Sequence, residues 1–281
     1  MDAFHTFRVR RSGQDFALAD FELFTIAIST LEWRKHNGFI KLVTDNIGVK
    51  YFHECGLSEA WNSIDVTLDE IKSFDIDEDV FWAGAKILAL SQQDSPCVMI
   101  DLDFILWQNV DFTAFDKSLA VIHREDIYQP VYPPEDFFRF HHGWQLPDWL
   151  DWSAHPCNGA LVYFGSQRFI REYTTFALEF MQKANAGDDR LSYMVFAEQR
   201  WMAMCAEHLN VPIHELSTLE RLFGDKQKYF THIWGYKQKL RDNLGEAEAF
   251  CQKCASRLKH DFPEFAEELK KYDWAAKYMR D

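Results

Sequence analysis

The sequence predicts an α/β fold built on a mostly parallel sheet flanked by helices. Two observations carry this expectation. Short apolar runs alternate with helical segments of ten or more residues, and one such run, Cys97-Val98-Met99-Ile100, leads straight into Asp101-Leu102-Asp103. Residues 18–36 carry apolar side chains at helical spacing and stop at Asn37-Gly38, a helix-ending pair. Residues 39–45 read as a short buried strand, followed by a shorter helical stretch through Tyr51 to Cys55. A β-type run comes next at Ile64 to Leu68, then a helix over 79–92 that Asp94-Ser95-Pro96 terminates. Further strands are expected at 119–123 and 159–164, separated by a Pro- and aromatic-rich stretch, 125–152, that reads as a long loop. From about residue 237 the chain turns charged and helical, which divides it into a domain over 1–236 and a helical appendage over 237–281.

Composition narrows the function classes. With 281 residues, 47% of them hydrophobic and 16% aromatic, the chain can bury a large core and is unlike a disordered one. A formal charge of −14 excludes a phosphate-tracking nucleic-acid binder, whose affinity comes from Lys and Arg. For an anionic substrate the same charge calls for a metal ion and a few local cations. The opening residues lack the apolar stretch of a signal peptide, and no run reaches the roughly 20 apolar residues of a membrane span, so a cytoplasmic protein without a transmembrane segment is expected. Six scattered cysteines predict free thiols. Cys251 and Cys254 lack a second pair to complete a zinc site and are expected on one helix face.

Two segments have the composition of a site. Asp101 and Asp103, one residue apart at a strand end, project to the same side, and paired carboxylates suit a hard cation such as Mg²⁺ or Mn²⁺ bridging to substrate phosphate. In Thr231-His232-Ile233-Trp234-Gly235-Tyr236-Lys237, His232 offers an imidazole to a borderline metal, Gly235 a close backbone approach, and Lys237 a mobile positive charge.

Taken together, residues 97–104 followed by His232, Gly235 and Lys237 resemble the metal and diphosphate motifs of the glycogenin-like and bacterial lipopolysaccharide-type glycosyltransferases, which have the GT-A fold. The resemblance extends over roughly residues 40–237. Lys86 resembles a family lysine that approaches the donor, Asn158-Gly159-Ala160 the turn near the donor sugar, and Glu198-Gln199 the family's Asp-Gln pair. It implies a catalytic domain over 1–236 that binds a nucleotide-sugar, most simply a UDP-sugar, and transfers its sugar with retention to a carbohydrate or glycoconjugate acceptor. Asp101, Asp103 and His232 would hold Mn²⁺ or Mg²⁺; Lys86, Asp101, Gly235 and Lys237 would meet the donor, and Glu198 and Asn158 would serve catalysis. Only Tyr236 separates Gly235 from Lys237 where the family has two residues, so Lys237 or Lys239 would take the lysine role. Trp144, Trp149 and Trp152 offer an acceptor surface, whereas His123 and His141-His142 are given no role. The alternatives are a nucleotide-sugar hydrolase or nucleotidyltransferase, for which the single glycine of the 8–15 segment offers no phosphate loop, and a catalytically silent module on the same scaffold.

Overall fold

The structure is a computed structural model that describes residues 1–9, 16–141, 143–223 and 228–279. The glycine of the 8–15 segment and His142 lie outside the described residues. Among those described, the main sheet holds β1 (Ala3–Thr6), β2 (Ile40–Val43), β3 (Ser63–Asp65), β4 (Cys97–Ile100), β6 (Leu119–Val121), β7 (Leu161–Phe164) and β8 (Ile213–Glu215). The remaining pair, β5 (Phe104–Leu106) and β9 (Phe230–His232), forms a separate antiparallel ribbon. The main sheet runs β3-β2-β1-β4-β7-β6-β8, and only β7 opposes its neighbours. This is the mostly parallel α/β sheet that the alternating elements predict.

The helices are α1 (Asp20–His36), α2 (Asn46–Glu54), α3 (Gly84–Ser91), α4 (Gln167–Lys183), α5 (Leu191–Val195), α6 (Trp201–His208), α7 (Leu219–Phe223), α8 (Lys237–Asp242), α9 (Leu244–Asp261), α10 (Pro263–Leu269) and α11 (Asp273–Met279). Alternation along the strands divides the core between the two sheet faces. Met99, Val121 and Val162 pack with α3, α4 and α6, while Val98, Ile100, Ala120 and Leu161 pack with α1 and the helices from α9 onward.

Three elements depart from expectation, each for a local reason. β1 lies at the centre of the sheet, between β2 and β4, yet four residues with a His and a Thr gave no apolar run to read. His5 is buried there because its Nδ1 accepts the Trp61 indole N–H at 3.1 Å and Ser29 Oγ lies 3.2 Å from its Nε2. The run at Ile64 to Leu68 is cut short because the Asp65 carboxylate accepts the Thr67 backbone N–H at 3.0 Å, closing a turn. The helix expected from residue 79 starts at Gly84, since the Asp77 carboxylate accepts the Asp79 N–H at 2.9 Å and holds a turn first.

Along 125–152 the only regular element among the described residues is a 3₁₀ turn at Glu135–Phe137. Its tryptophans are committed to packing, which corrects the expected acceptor surface. Trp144 donates to Glu179 Oε1 at 2.9 Å, Trp149 stacks on His208 with centroids 4.3 Å apart, and Trp152 stacks on Phe196 and meets the Arg200 guanidinium.

At the C-terminal end, α9 lies against α1, with Cys254 and Leu258 buried between them and the other packed helices. Cys251 and Cys254 are both buried on α9, and all six cysteines are free. The Trp274 indole donates to Cys55 O at 3.0 Å, Tyr278 donates to Asp20 at 3.0 Å, and the Tyr272 ring occupies the space over Gly56 where a Cβ would stand. Among the described residues no helix is long and apolar enough to cross a membrane.

Candidate metal and nucleotide site

The strand order reverses between β1 and β4: the chain proceeds from β1 toward β3 on one side and continues with β4 on the other. Open α/β sheets bind ligands beyond the carboxyl ends of their strands at such a switch point. Asp101 is the first residue after β4, fixed by its N–H donating to Ala160 O at 2.8 Å. The turn closes with Phe104 N–H on Asp101 O at 3.0 Å and passes into β5. In the ribbon, His232 of β9 stands directly opposite Phe104, and Ile233 N–H donates to Asp103 O at 3.3 Å. Backbone pairing thus carries a residue from far along the chain to the acidic turn.

As a result, one ligand atom each from Asp101, Asp103 and His232 lie within 4.8 Å of one another. Two carboxylates and an imidazole form a donor set suited to Mn²⁺ or Mg²⁺, hard to borderline cations. His232 Nε2 is buried without a hydrogen-bond partner, 3.6 Å from Asp103 Oδ1. At that separation the pair is beyond hydrogen-bond reach, and an orphaned buried nitrogen aimed among carboxylates fits a metal ligand.

Two lysines balance the acids. Lys86, on α3, lies 2.6 Å from Asp101 Oδ1 and 3.1 Å from Gly159 O, and also pairs with Glu198. Lys237, at the start of α8, lies 2.9 Å from Asp103 Oδ2. Lys239 turns away to Glu246 at 2.9 Å. Of the two candidate lysines, Lys237 is the one brought to the acidic turn. Asp101, Asp103 and Glu198 thus place three carboxylates around the two ammonium groups.

The ionisation of each group follows its neighbours. Burial disfavours the charged form of Lys86, but Asp101 and Glu198 outweigh it and raise its affinity for the proton. Burial raises the Asp101 carboxyl above its ordinary value, against the opposing pull of Lys86. Asp103 is also penalised by burial, yet His232 and Lys237 hold it well below the usual carboxylate range.

Glu198 joins this cluster through Lys86, and Asn158 lies in the turn before Ala160, whose carbonyl accepts the Asp101 N–H. Glu198 sits in a π-helical turn, Phe196–Arg200, between α5 and α6, a distortion frequent at functional sites. Asn158 donates to Glu125 Oε1 at 3.1 Å and accepts the Ala160 N–H at 3.1 Å. Glu125 also meets His123 Nε2 at 2.9 Å; despite burial, these bonds hold its carboxyl below the ordinary value. Tyr132 donates to Gln199 Oε1 at 2.5 Å. Sequence reading singled out neither Glu125 nor Tyr132. For Glu125 a signal existed, since it follows the β6 run closely as Asp101 follows β4. Beside Gly235 the space is open, with nothing within 4 Å of where a Cβ would stand.

Fold and site together define an α/β protein with an acidic, lysine-balanced candidate cation centre at the switch point of a mostly parallel sheet. Residues 8–272 match DUF6734, a family of unknown function, and the chain belongs to that family. No curated protein matches the sequence. Among solved structures it is similar to the apo form of mouse xyloside xylosyltransferase 1, at 10% identity over 77% of this chain and 85% of that one, TM-score 0.40. It is also similar to the PaToxG glycosyltransferase, at 12% identity over 99% and 85%, TM-score 0.44. A third is the galactosyltransferase LgtC in complex with donor and acceptor sugar analogues, at 10% identity over 76% and 73%, TM-score 0.40.

Proposed function

We propose that the protein is a metal-dependent glycosyltransferase that moves a sugar from a nucleotide-sugar, most simply a UDP-sugar, to a carbohydrate or glycoconjugate acceptor with retention. The observation that carries this reading is the convergence of Asp101, Asp103 and the orphaned His232 nitrogen beside two lysines. A hydrolase or nucleotidyltransferase would use the same cation, but the motifs in their order resemble the transferases.

In this reading Asp101, Asp103 and His232 hold Mn²⁺ or Mg²⁺, which when bound offsets the charge of the donor's diphosphate. Lys237 reaches the site from a partly exposed position and is free to exchange its Asp103 partner for a diphosphate oxygen as negative charge builds on the leaving group. Gly235 leaves room for that group to approach the backbone. Asn158 and Glu198 face the sugar, Asn158 oriented by Glu125 and Glu198 by Lys86. Lys86 in turn ties Glu198 to Asp101, so the sugar side and the metal side share one cation.

Titration calorimetry with UDP tests the reading. Affinity should be at least about tenfold higher in Mn²⁺ than in chelator, because phosphate and the two aspartates repel until a cation separates them. Equal affinity in the two conditions would remove the basis for the proposal.

A further inference from the structure

With Trp144, Trp149 and Trp152 absorbed by packing, the acceptor site must be sought elsewhere, and the exposed aromatics point to one turn. Trp234 is 76% exposed, and among the described residues it has no hydrogen-bond or ring partner through its side chain. It opens the 3₁₀ turn Trp234–Tyr236, between His232 and Lys237. The turn is not loose: Ile233 is buried beneath it, donates to Asp103 O, and accepts the Tyr236 and Lys237 N–H groups at 2.9 Å each. A rigid base therefore projects one large ring into solvent at the edge of the candidate site, with open space beside it at Gly235.

The surroundings limit what the ring can take. Tyr236 is spoken for, its hydroxyl on Glu246 at 2.9 Å and Lys239 over its face. Tyr229 precedes β9, and its carbonyl accepts the Trp107 N–H at 2.8 Å. Trp234 thus presents an apolar face in the turn between His232 and Lys237. A pyranose ring fits this chemistry, since one face presents C–H groups to an indole while its rim offers hydroxyls to polar neighbours. Among the described residues so exposed a ring stands open to solvent, which suits a glycan that extends outward better than an enclosed nucleobase.

We infer that Trp234 is the stacking platform of a carbohydrate acceptor site at the rim of the candidate metal centre. The assignment rests on the glycosyltransferase reading, which supplies the need for an acceptor. The full chain, with Mn²⁺ and UDP, is applied to an array of hexose, hexosamine and sialylated oligosaccharides, and UDP affinity is measured alongside by calorimetry. Wild type should label a subset of glycans; Trp234→Ala should weaken that labelling by about tenfold or more, and Trp234→Phe by about threefold or less. UDP affinity should stay within about threefold in both variants, and an exposed side chain should leave the melting temperature unchanged. Unchanged labelling in Trp234→Ala, or a wild type that binds UDP but no glycan, overturns the platform. A loss of UDP affinity in Trp234→Ala would assign the ring to the nucleobase and overturn it equally. Failure of wild type to bind UDP while Trp234-dependent glycan labelling persists would instead remove the transferase reading and keep the carbohydrate site.

Discussion

A Cβ placed on Gly159 would stand 2.8 Å from Glu198 Oε1. No left-handed backbone accounts for this glycine; it is the approach of a buried carboxylate, only 6% exposed, that leaves no room for a methyl group. Its carbonyl meanwhile accepts from Lys86, so a single residue keeps both members of the Lys86–Glu198 pair in place.

Gly159→Ala should therefore displace Glu198 and loosen its pair with Lys86. The stability cost should be about 1–3 kcal/mol, the usual range for overpacking. Turnover should fall further than that cost explains, because Glu198 is removed from the sugar side of the site. Urea denaturation alongside nucleotide-sugar turnover separates the two effects. A variant as active as wild type would place Glu198 outside the reaction.

Glu125→Gln tests the orientation of Asn158. Glutamine keeps the length of the side chain and one acceptor, but the charge that draws both His123 and Asn158 to Glu125 is gone. Little of the apolar core depends on this side chain, so stability should shift by about 1 kcal/mol or less. Donor turnover should fall by about tenfold while Mn²⁺-dependent UDP affinity holds, since the sugar and not the diphosphate meets Asn158. Equal falls in both would tie Glu125 to the diphosphate instead.

His5 makes the fold sensitive to acid. Burial drives its imidazole down to about 3 from an ordinary 6.5, against a smaller opposing influence of Asp103. Between those limits the unfolded chain binds a proton that the folded chain refuses, so stability is complete above about pH 6.5 and declines as the pH falls. By pH 4 this one group should cost on the order of 3 kcal/mol. Chemical denaturation from pH 7 to 4 should give a shallower decline for His5→Gln than for wild type, and identical slopes would assign the acid sensitivity to other groups.

The helices beyond residue 243 are held by buried apolar contacts. Leu258 and Leu269 are fully buried against the α1 side of the sheet. Leu258→Ala should cost about 2–5 kcal/mol, and a chain ending near residue 243 should melt well below the full protein, because Phe24 and its neighbours lose the Trp274 and Tyr278 rings. A truncated chain with an unchanged melting temperature would make 237–281 an independent appendage.

How much of this could be read from residues alone depended on whether a local pattern carried it. The Asp101-x-Asp103 turn was legible because four fully apolar residues precede it and nothing but a buried strand reads that way. β1 was not, since its burial comes from elements far along the chain and its own His and Thr hide the pattern. Spacing left Lys237 and Lys239 equivalent. Only the 3₁₀ turn leading into α8 points the first at Asp103 and the second at Glu246. The tryptophans of 125–152 misled in the opposite direction: aromatic density in a loop looks like a binding surface until the helices it covers are in place.

The Asp103–Lys237 pair yields the sharpest test. Taken from the sequence, Asp103 is a strand-end carboxylate next to Asp101, and removing its charge would be expected to relieve repulsion. The structure reverses that expectation for the metal-free protein. Asp103 is only 8% exposed, Lys237 lies 2.9 Å away, and its carboxyl is held well below the usual range, so the ionised form stabilises the fold. Its contribution is present above the ordinary carboxylate value and is lost as the pH falls through the depressed one. Asp103→Asn should therefore lower stability at pH 7 by about 1–2 kcal/mol, kept modest because Lys237 is partly exposed and can turn to solvent and because Asp101 loses a like-charged neighbour. In urea denaturation with chelator, the gap between variant and wild type should narrow toward pH 3. The same substitution removes one of two carboxylates from the proposed cation centre, so the Mn²⁺-dependent part of UDP binding should disappear and turnover should fall by about two or more powers of ten. Stability would change a little and function a great deal. A variant that unfolds outright, or one that keeps full Mn²⁺-dependent UDP affinity, would mean that Asp103 serves the fold through Lys237 and does not hold the cation.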